Sequence, residues 1–205
     1  MDFSFFQTPT LDLCRNLLGM TLIHESDEGR TAGKIVEVEA YMGPEDKAAH
    51  SFGGRRTNRT EVMYGPPGFA YVYLIYGLHY CFNIVSGPVH KPEAILIRAI
   101  EPVEGMDIMI ERRGLKNLFN KNGEIKQGQI KNLTNGPGKL ADAMGITIKQ
   151  YGLSLANPPL YLQHPEREID DSMIETGPRI NIEYAEEAVS YPWRFWIKDN
   201  AFVSK

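Results

Sequence analysis

Cysteine is scarce. Cys14 and Cys81 are the two in the chain, each in apolar surroundings and without metal-ligand spacing. They read as buried, reduced thiols of a cytoplasmic protein, and a disulfide framework is excluded as the organising principle. Long apolar runs are missing too. No stretch reaches the roughly eighteen residues of a membrane-spanning helix, and Met1-Asp2-Phe3 does not begin a basic segment leading into an apolar one. Neither a membrane span nor a secretory leader is expected. The histidines His24, His50, His79, His90 and His164 are scattered, and no pair has ligand spacing, so no metal is expected. Net positive charge is lacking as well. A formal charge of −4 by itself argues against a nucleic-acid partner, because neutralising phosphates takes Lys and Arg. The distribution weakens that objection. Residues 51–150 carry a basic surplus of 5, between ends whose acidic surpluses are 5 and 4. A basic face with acidic flanks is compatible with DNA.

What remains is an ordinary globular composition, with 205 residues, 42% hydrophobic and 23% charged, which suits one domain over 1–205 with a real core. Thr8-Pro9 followed by Leu11, Leu13, Leu17, Leu18 and Gly19 predicts a capped first helix. Residues 20–24 and 31–41 are strand candidates split by the polar turn Glu25-Ser26-Asp27-Glu28-Gly29. The aromatic stretch 69–85 is interrupted by Tyr76-Gly77, a predicted hairpin tip. A further apolar strand is expected over 94–100, helices from 105–113 and 137–144, and a last strand over 193–197. Residues 114–132, rich in Asn, Lys and Gly, read as a mobile excursion. The fold class is α+β (mixed α/β), on a curved, largely antiparallel β-sheet.

Three segments could carry chemistry. In Lys34-Ile35-Val36-Glu37-Val38-Glu39-Ala40-Tyr41, alternation puts Val36, Val38 and Ala40 on one face and Ile35, Glu37, Glu39 and Tyr41 on the other. From the strand alone this is either a solvated sheet face or a general base where Gly43-Pro44 turns the chain. Paired carboxylates also suit a glycoside hydrolase. Next, His50 precedes Gly53-Gly54-Arg55-Arg56-Thr57-Asn58-Arg59, where permissive backbone and three arginines suit close approach to phosphates, or simply a solvated charged loop. Third, four tyrosines, His79 and Phe82 crowd into residues 71–83. Tyr71 and Tyr73 share a face, while Tyr76 sits at the tip, where an exposed aromatic is what wedging between base pairs requires. Gly136-Pro137-Gly138-Lys139 lacks the Ser or Thr of a phosphate loop, but a helix start there can still hold a DNA phosphate.

In this order the pieces resemble the alkyladenine (3-methyladenine) DNA glycosylase family. The resemblance runs over residues 8–203 and is densest in Ile35-Val36-Glu37-Val38-Glu39-Ala40-Tyr41-Met42-Gly43-Pro44-Glu45-Asp46-Lys47-Ala48-Ala49-His50-Ser51, in 71–83 and in 94–105. It implies one compact domain with flanking helices and a protruding β-hairpin. It also implies that Glu39 is the general base for an attacking water and that Arg98 helps to hold that water. By the same resemblance Tyr41, His50 and Tyr73 wall the base pocket, Asn83 hinders normal guanine, and Tyr76 fills the space left by a flipped base. Arg55, Thr57 and Lys139 fall where the family meets the DNA backbone. The implied partner is double-stranded DNA containing damaged purines, acted on by a monomer without metal, cofactor or membrane, cytoplasmic or nucleoid-associated. No lysine other than Lys34 lies along the catalytic strand, so water attack without strand cleavage is expected. Unlike larger members, the chain has no long basic N-terminal extension. With its negative charge, this predicts weak DNA binding that falls steeply with salt. A non-catalytic binder of damaged DNA is the rival from another class.

Overall fold

A computed structural model of the chain describes residues 2–115, 118, 122–123 and 125–204. It shows an α+β fold on one eight-stranded antiparallel sheet. The strands are β1 (Thr21–Ser26), β2 (Gly29–Tyr41), β3 (Ala70–Ile75), β4 (His79–Val85), β5 (Ala94–Glu104), β6 (Leu160–Gln163), β7 (Ile174–Gly177) and β8 (Arg194–Ile197). The order is β3-β4-β5-β2-β1-β6, with β8 pairing β2 and β7 off that path. The thirteen-residue β2 is the hub. One edge pairs with β5 from Ala32 to Tyr41, while the other is shared, by β1 up to Lys34 and by β8 over Glu37, Val38 and Glu39. With both edges and both faces covered, residues 35–40 are all buried.

Alternation decides what each face carries. Val38, Ala40, Val72, Phe82, Ile84, Ile95 and Ile97 point into the main core with Leu13, Leu17 and Leu140. These leucines come from the helices α1 (Thr10–Leu17) and α3 (Pro137–Met144); a short α2 (Met106–Arg112) contributes Met109 and Ile110. Opposite-parity residues form the other face. There the register lines up Tyr71, Asn83, Leu96 and Glu39 in one row across four strands.

Several details differ from the sequence expectation. Ile35 joins the core with Val38 and Ala40 instead of sharing a face with Glu37. The pairing runs Ile35↔Ile100, Glu37↔Ala99, Val38↔Ile97, which leaves Val36 and Arg98 as extra residues of adjacent bulges and reverses the parity there. The first hairpin turn is tighter than predicted, with Ser26 paired to Gly29. Thr8 does not cap α1; its hydroxyl donates to the Phe5 carbonyl (2.9 Å). Strands β6 and β7 were not foreseen, being short and irregularly apolar, and β5 runs on to Glu104. Part of the expected mobile excursion, 116–117, 119–121 and 124, lies outside the described residues. Of the rest, Leu118 and Leu133 are buried in the core and Gln127–Leu133 forms 3-10 turns. Cys14 and Cys81 are free and buried, as expected.

Candidate active site

The polar face of the sheet floors a cavity of about 240 Å³. Tyr41, Tyr71, Tyr73, Cys81, Asn83, Leu96 and Arg98 rise from the strands, His50 and Ala48 from the loop after β2, and Ile180 to Ile182 from the segment before β8. Tyr76 and Tyr184 stand at its rim. Of the residues singled out from the sequence, the fold brings Tyr41, His50, Tyr73, Tyr76, Asn83 and Arg98 to this one cavity.

Glu39 is 0% exposed and stands behind the lining, among residues that form it. Its Oε1 accepts from the Ile180 amide (2.8 Å) and meets Arg98 Nη1 (3.2 Å), while Oε2 accepts from the Tyr41 hydroxyl (3.0 Å). Every partner is a donor, so the carboxylate is fixed as an acceptor at the floor. Burial works against the Arg98 charge, but the Glu39 and Glu37 carboxylates outweigh it and raise its pKa. Burial, then the nearby Glu39 charge, pushes the Tyr41 hydroxyl well above its ordinary range, which keeps it a neutral donor.

Glu37 does something different. It is fully buried and accepts from Arg98 Nε (3.0 Å), Arg194 Nε (2.7 Å), the Ser204 hydroxyl (2.9 Å) and the Ser204 amide (2.7 Å). The solvated-face reading of this strand therefore fails. So does a carboxylate pair working across one bond, since Glu37 is saturated by donors on its own side.

The walls are aromatic. The His50 ring meets Tyr73 edge-on at 4.7 Å, and its Nδ1 shares a hydrogen bond with the Tyr71 hydroxyl (2.9 Å). Burial, reinforced by Arg59 and Arg55, lowers its pKa to about 4, so the imidazole is neutral at physiological pH. Burial likewise pushes Tyr71 up to about 12 and Tyr73 well above the ordinary phenol range. Asn83 is fixed by its amide NH₂ donating to the Tyr71 carbonyl (3.0 Å).

A buried ion pair braces the opposite wall. Arg179 binds Asp46 through both terminal nitrogens (2.6 and 2.8 Å), donates to the Ala40 carbonyl (2.9 Å), and lies over the rings of Tyr41 (4.8 Å) and Trp193 (5.0 Å). Asp46 in turn accepts from the amides of Met42 and Ala48 (both 3.0 Å). That ties the turn at Gly43, where φ is +79° and a Cβ would lie 3.2 Å from the Pro92 carbonyl oxygen, to the segment that delivers Ile180 to Glu39. Sequence reading missed Asp46, Arg179, Arg194 and Ser204. None has a local signal beyond a charge or hydroxyl, because the charged partner of each of Asp46, Arg179, Arg194 and Ser204 is remote in the chain.

At the mouth the β3–β4 hairpin turns through Tyr76, Gly77 and Leu78. Tyr76 and Gly77 both adopt left-handed backbone (φ 54° and 69°), which a glycine at 77 accepts without strain. Tyr76 is 80% and Leu78 77% exposed. A groove of about 310 Å³ shares Ala48, His50 and Tyr184 with the cavity and continues past Lys47, Arg55, Thr57 and Arg59. Of its predicted arginine cluster, Arg56 is neutralised by Glu61 (2.6 and 2.9 Å), whereas Arg55 and Arg59 show no ion pair among the described residues. Arg59 lies 4.3 Å from the Tyr73 ring centre. Lys139, at the start of α3, donates to the Asn135 side chain (2.9 Å), apart from that groove. No lysine lines the cavity among the described residues, and none of their His, Cys, Asp and Glu side chains form a group of three or more suited to a metal ion.

Residues 4–201 match the family model of methylpurine-DNA glycosylase. A Bacillus cereus protein provisionally named 3-methyladenine DNA glycosylase is 55% identical over 206 residues, covering 98% of this chain and 97% of its own. Relatives of the same provisional name from Bacillus thuringiensis and Bacillus cytotoxicus are 54% and 53% identical over 205 residues, with the same coverage of each chain.

Proposed function

The chain belongs to the methylpurine-DNA glycosylase family and is a DNA glycosylase of DNA repair; from that premise we propose that it flips alkylated or deaminated purines out of double-stranded DNA and hydrolyses their N-glycosidic bond with an activated water. The observation that carries this reading is the placement of a buried, donor-held carboxylate, Glu39, beneath an aromatic cavity whose rim holds the exposed Tyr76.

The steps follow from the groups present. Extruding a base costs a few kcal/mol of stacking and pairing, less at a lesion that has already weakened the pair. Tyr76 enters the vacated space and offsets part of that cost. The purine slides between Tyr41 and the His50–Tyr73 wall. Asn83 projects against the position of a guanine amino group and so selects against the normal base. A water held by Glu39 and Arg98 attacks C1′, its proton passing to Glu39, while the bonding pair of the glycosidic link leaves with the purine. A cationic alkylpurine departs as a neutral base, and a neutral one such as hypoxanthine takes up a proton as it leaves, with hydrogen-bond help from the backbone near His50. The Glu39 charge also stabilises the positive charge developing on the sugar. The product is an abasic site. With no lysine lining the cavity among the described residues, the reading is of a monofunctional enzyme that leaves the strand intact. Arg55, Thr57 and Lys139 hold the DNA backbone. The protein works in the cytoplasm, at the nucleoid in a bacterium.

The test is single-turnover release of hypoxanthine and of 3-methyladenine from duplex DNA by the parent and by Glu39→Gln. Release by the parent, lowered about 10²–10⁴-fold in the variant, is expected of a general base. Failure of a folded parent to release any damaged purine would leave only a binder of damaged DNA.

A further inference from the structure

Every nitrogen of the Arg98 guanidinium is engaged. Nη1 faces Glu39 (3.2 Å), Nε donates to Glu37 (3.0 Å), and Nη2 donates to the Ser204 hydroxyl (3.1 Å). That hydroxyl itself donates to Glu37 (2.9 Å), and the Ser204 amide reaches the other Glu37 oxygen (2.7 Å). Arg194 of β8 closes the same cluster, donating to Glu37 (2.7 Å) and to the Ser204 carbonyl (3.0 Å). Arg98 lines the cavity, whereas Glu37, Arg194 and Ser204 are not among its lining residues, and Glu37, Arg98 and Ser204 are each buried. Arg98 also occupies a bulge, where regular strand pairing no longer fixes its direction. A planar fork held at three points has one orientation; held at two, it can swing about them.

We propose that Ser204, acting with Glu37 and Arg194, is a positioning latch. The segment after β8 folds back on the sheet and sets the plane in which Arg98 presents Nη1 to Glu39 and to the attacking water. Glu37 is then the anchor of the catalytic arginine and has no part in proton transfer. Ser204 touches neither base nor sugar and works through Arg98.

The inference rests on the roles assigned to Glu39 and Arg98, and the experiment separates the two. Glu37→Gln is the obvious variant, but it leaves Arg98 and Arg194 short of a buried counter-charge and puts folding at risk. Ser204→Ala keeps the amide bond to Glu37 and removes only the hydroxyl, and Ser204→Thr restores a hydroxyl. For each, single-turnover base release is measured against enzyme concentration, alongside thermal unfolding. Ser204→Ala is expected to lower the maximal rate about tenfold, short of the roughly hundredfold that a misplacement of about 1 Å can bring. The half-saturating concentration should stay within about twofold of the parent, because DNA contacts are untouched. Ser204→Thr should recover most of the rate. A parental rate in folded Ser204→Ala overturns the latch and leaves the glycosylase reading intact. A rate loss that tracks loss of folded protein, with no recovery in Ser204→Thr, overturns it as well. Absence of base release by the parent overturns the underlying reading instead.

Discussion

At the cavity floor, Glu37, Glu39, Arg98, Asp46 and Arg179 are all buried, and each is tied by hydrogen bonds to charges or amides drawn from distant parts of the chain. At the hairpin tip, some residues along the same sheet, Tyr76 and Leu78 hold large apolar surfaces in water on a left-handed turn. The two regions invert the usual placement of polar and apolar groups. Burying charge is tolerated at the floor because every carboxylate there is matched by donors, and the reward is a geometry that need not reorganise during reaction. Exposing aromatic surface at the tip makes sense when a partner later covers it, as a stacked DNA base would. On the proposed reading the floor serves chemistry and the tip capture. Loss of a floor group should register in rate or folding, and loss of the tip in engagement of DNA.

After Glu39→Gln, the strongest challenge to that division is Asp46→Ala. It leaves Arg179 as an uncompensated buried charge, and a destabilisation of about 3–5 kcal/mol is expected by urea unfolding. A loss under about 1 kcal/mol would mean that the ion pair does not hold the floor together. Tyr76→Ala is the converse. Unfolding should be unchanged, while affinity for lesion-containing duplex falls by about 5–150-fold, the equivalent of about 1–3 kcal/mol of stacking. Parental binding and excision by that variant would remove the wedge role. The smallest effect concerns the wall between the two regions. Protonation of His50 lies near pH 6.5 when unfolded and about 4 when folded, so the unfolded chain binds more protons between these values. Stability should therefore drop as pH falls from about 6.5 to about 4, and His50→Asn should flatten that slope relative to the parent. Equal slopes would place His50 in water, not in the aromatic wall.

Much of the floor is legible in the sequence, because strand alternation is a local rule. It put Glu39 and Tyr41 on one face and Tyr71 with Tyr73 on another, and the pairing register then had only to join those faces. Tyr76-Gly77 was readable as a tip for the same reason, since a turn is specified by its own residues. Ile35 was misplaced because a bulge depends on the partner strand, and nothing in residues 34–41 announces that Val36 and Arg98 lose their places in the ladder. The functional assignments leaned on resemblance to a family; periodicity alone left a solvated face, a general base and a carboxylate pair all open for the same strand.

By itself the sequence determined the α+β class, the shared face of Glu39 with Tyr41 and of Tyr71 with Tyr73, the exposed aromatic tip and the absence of a disulfide framework, all consequences of composition and near-neighbour sterics. Only the tertiary structure decided which charges neutralise which. Asp46 meets Arg179 across 133 positions, and Glu37 meets Arg194 across 157. The physical reason is that a buried ion pair is selected by burial and distance in space, to which separation along the chain gives no guide.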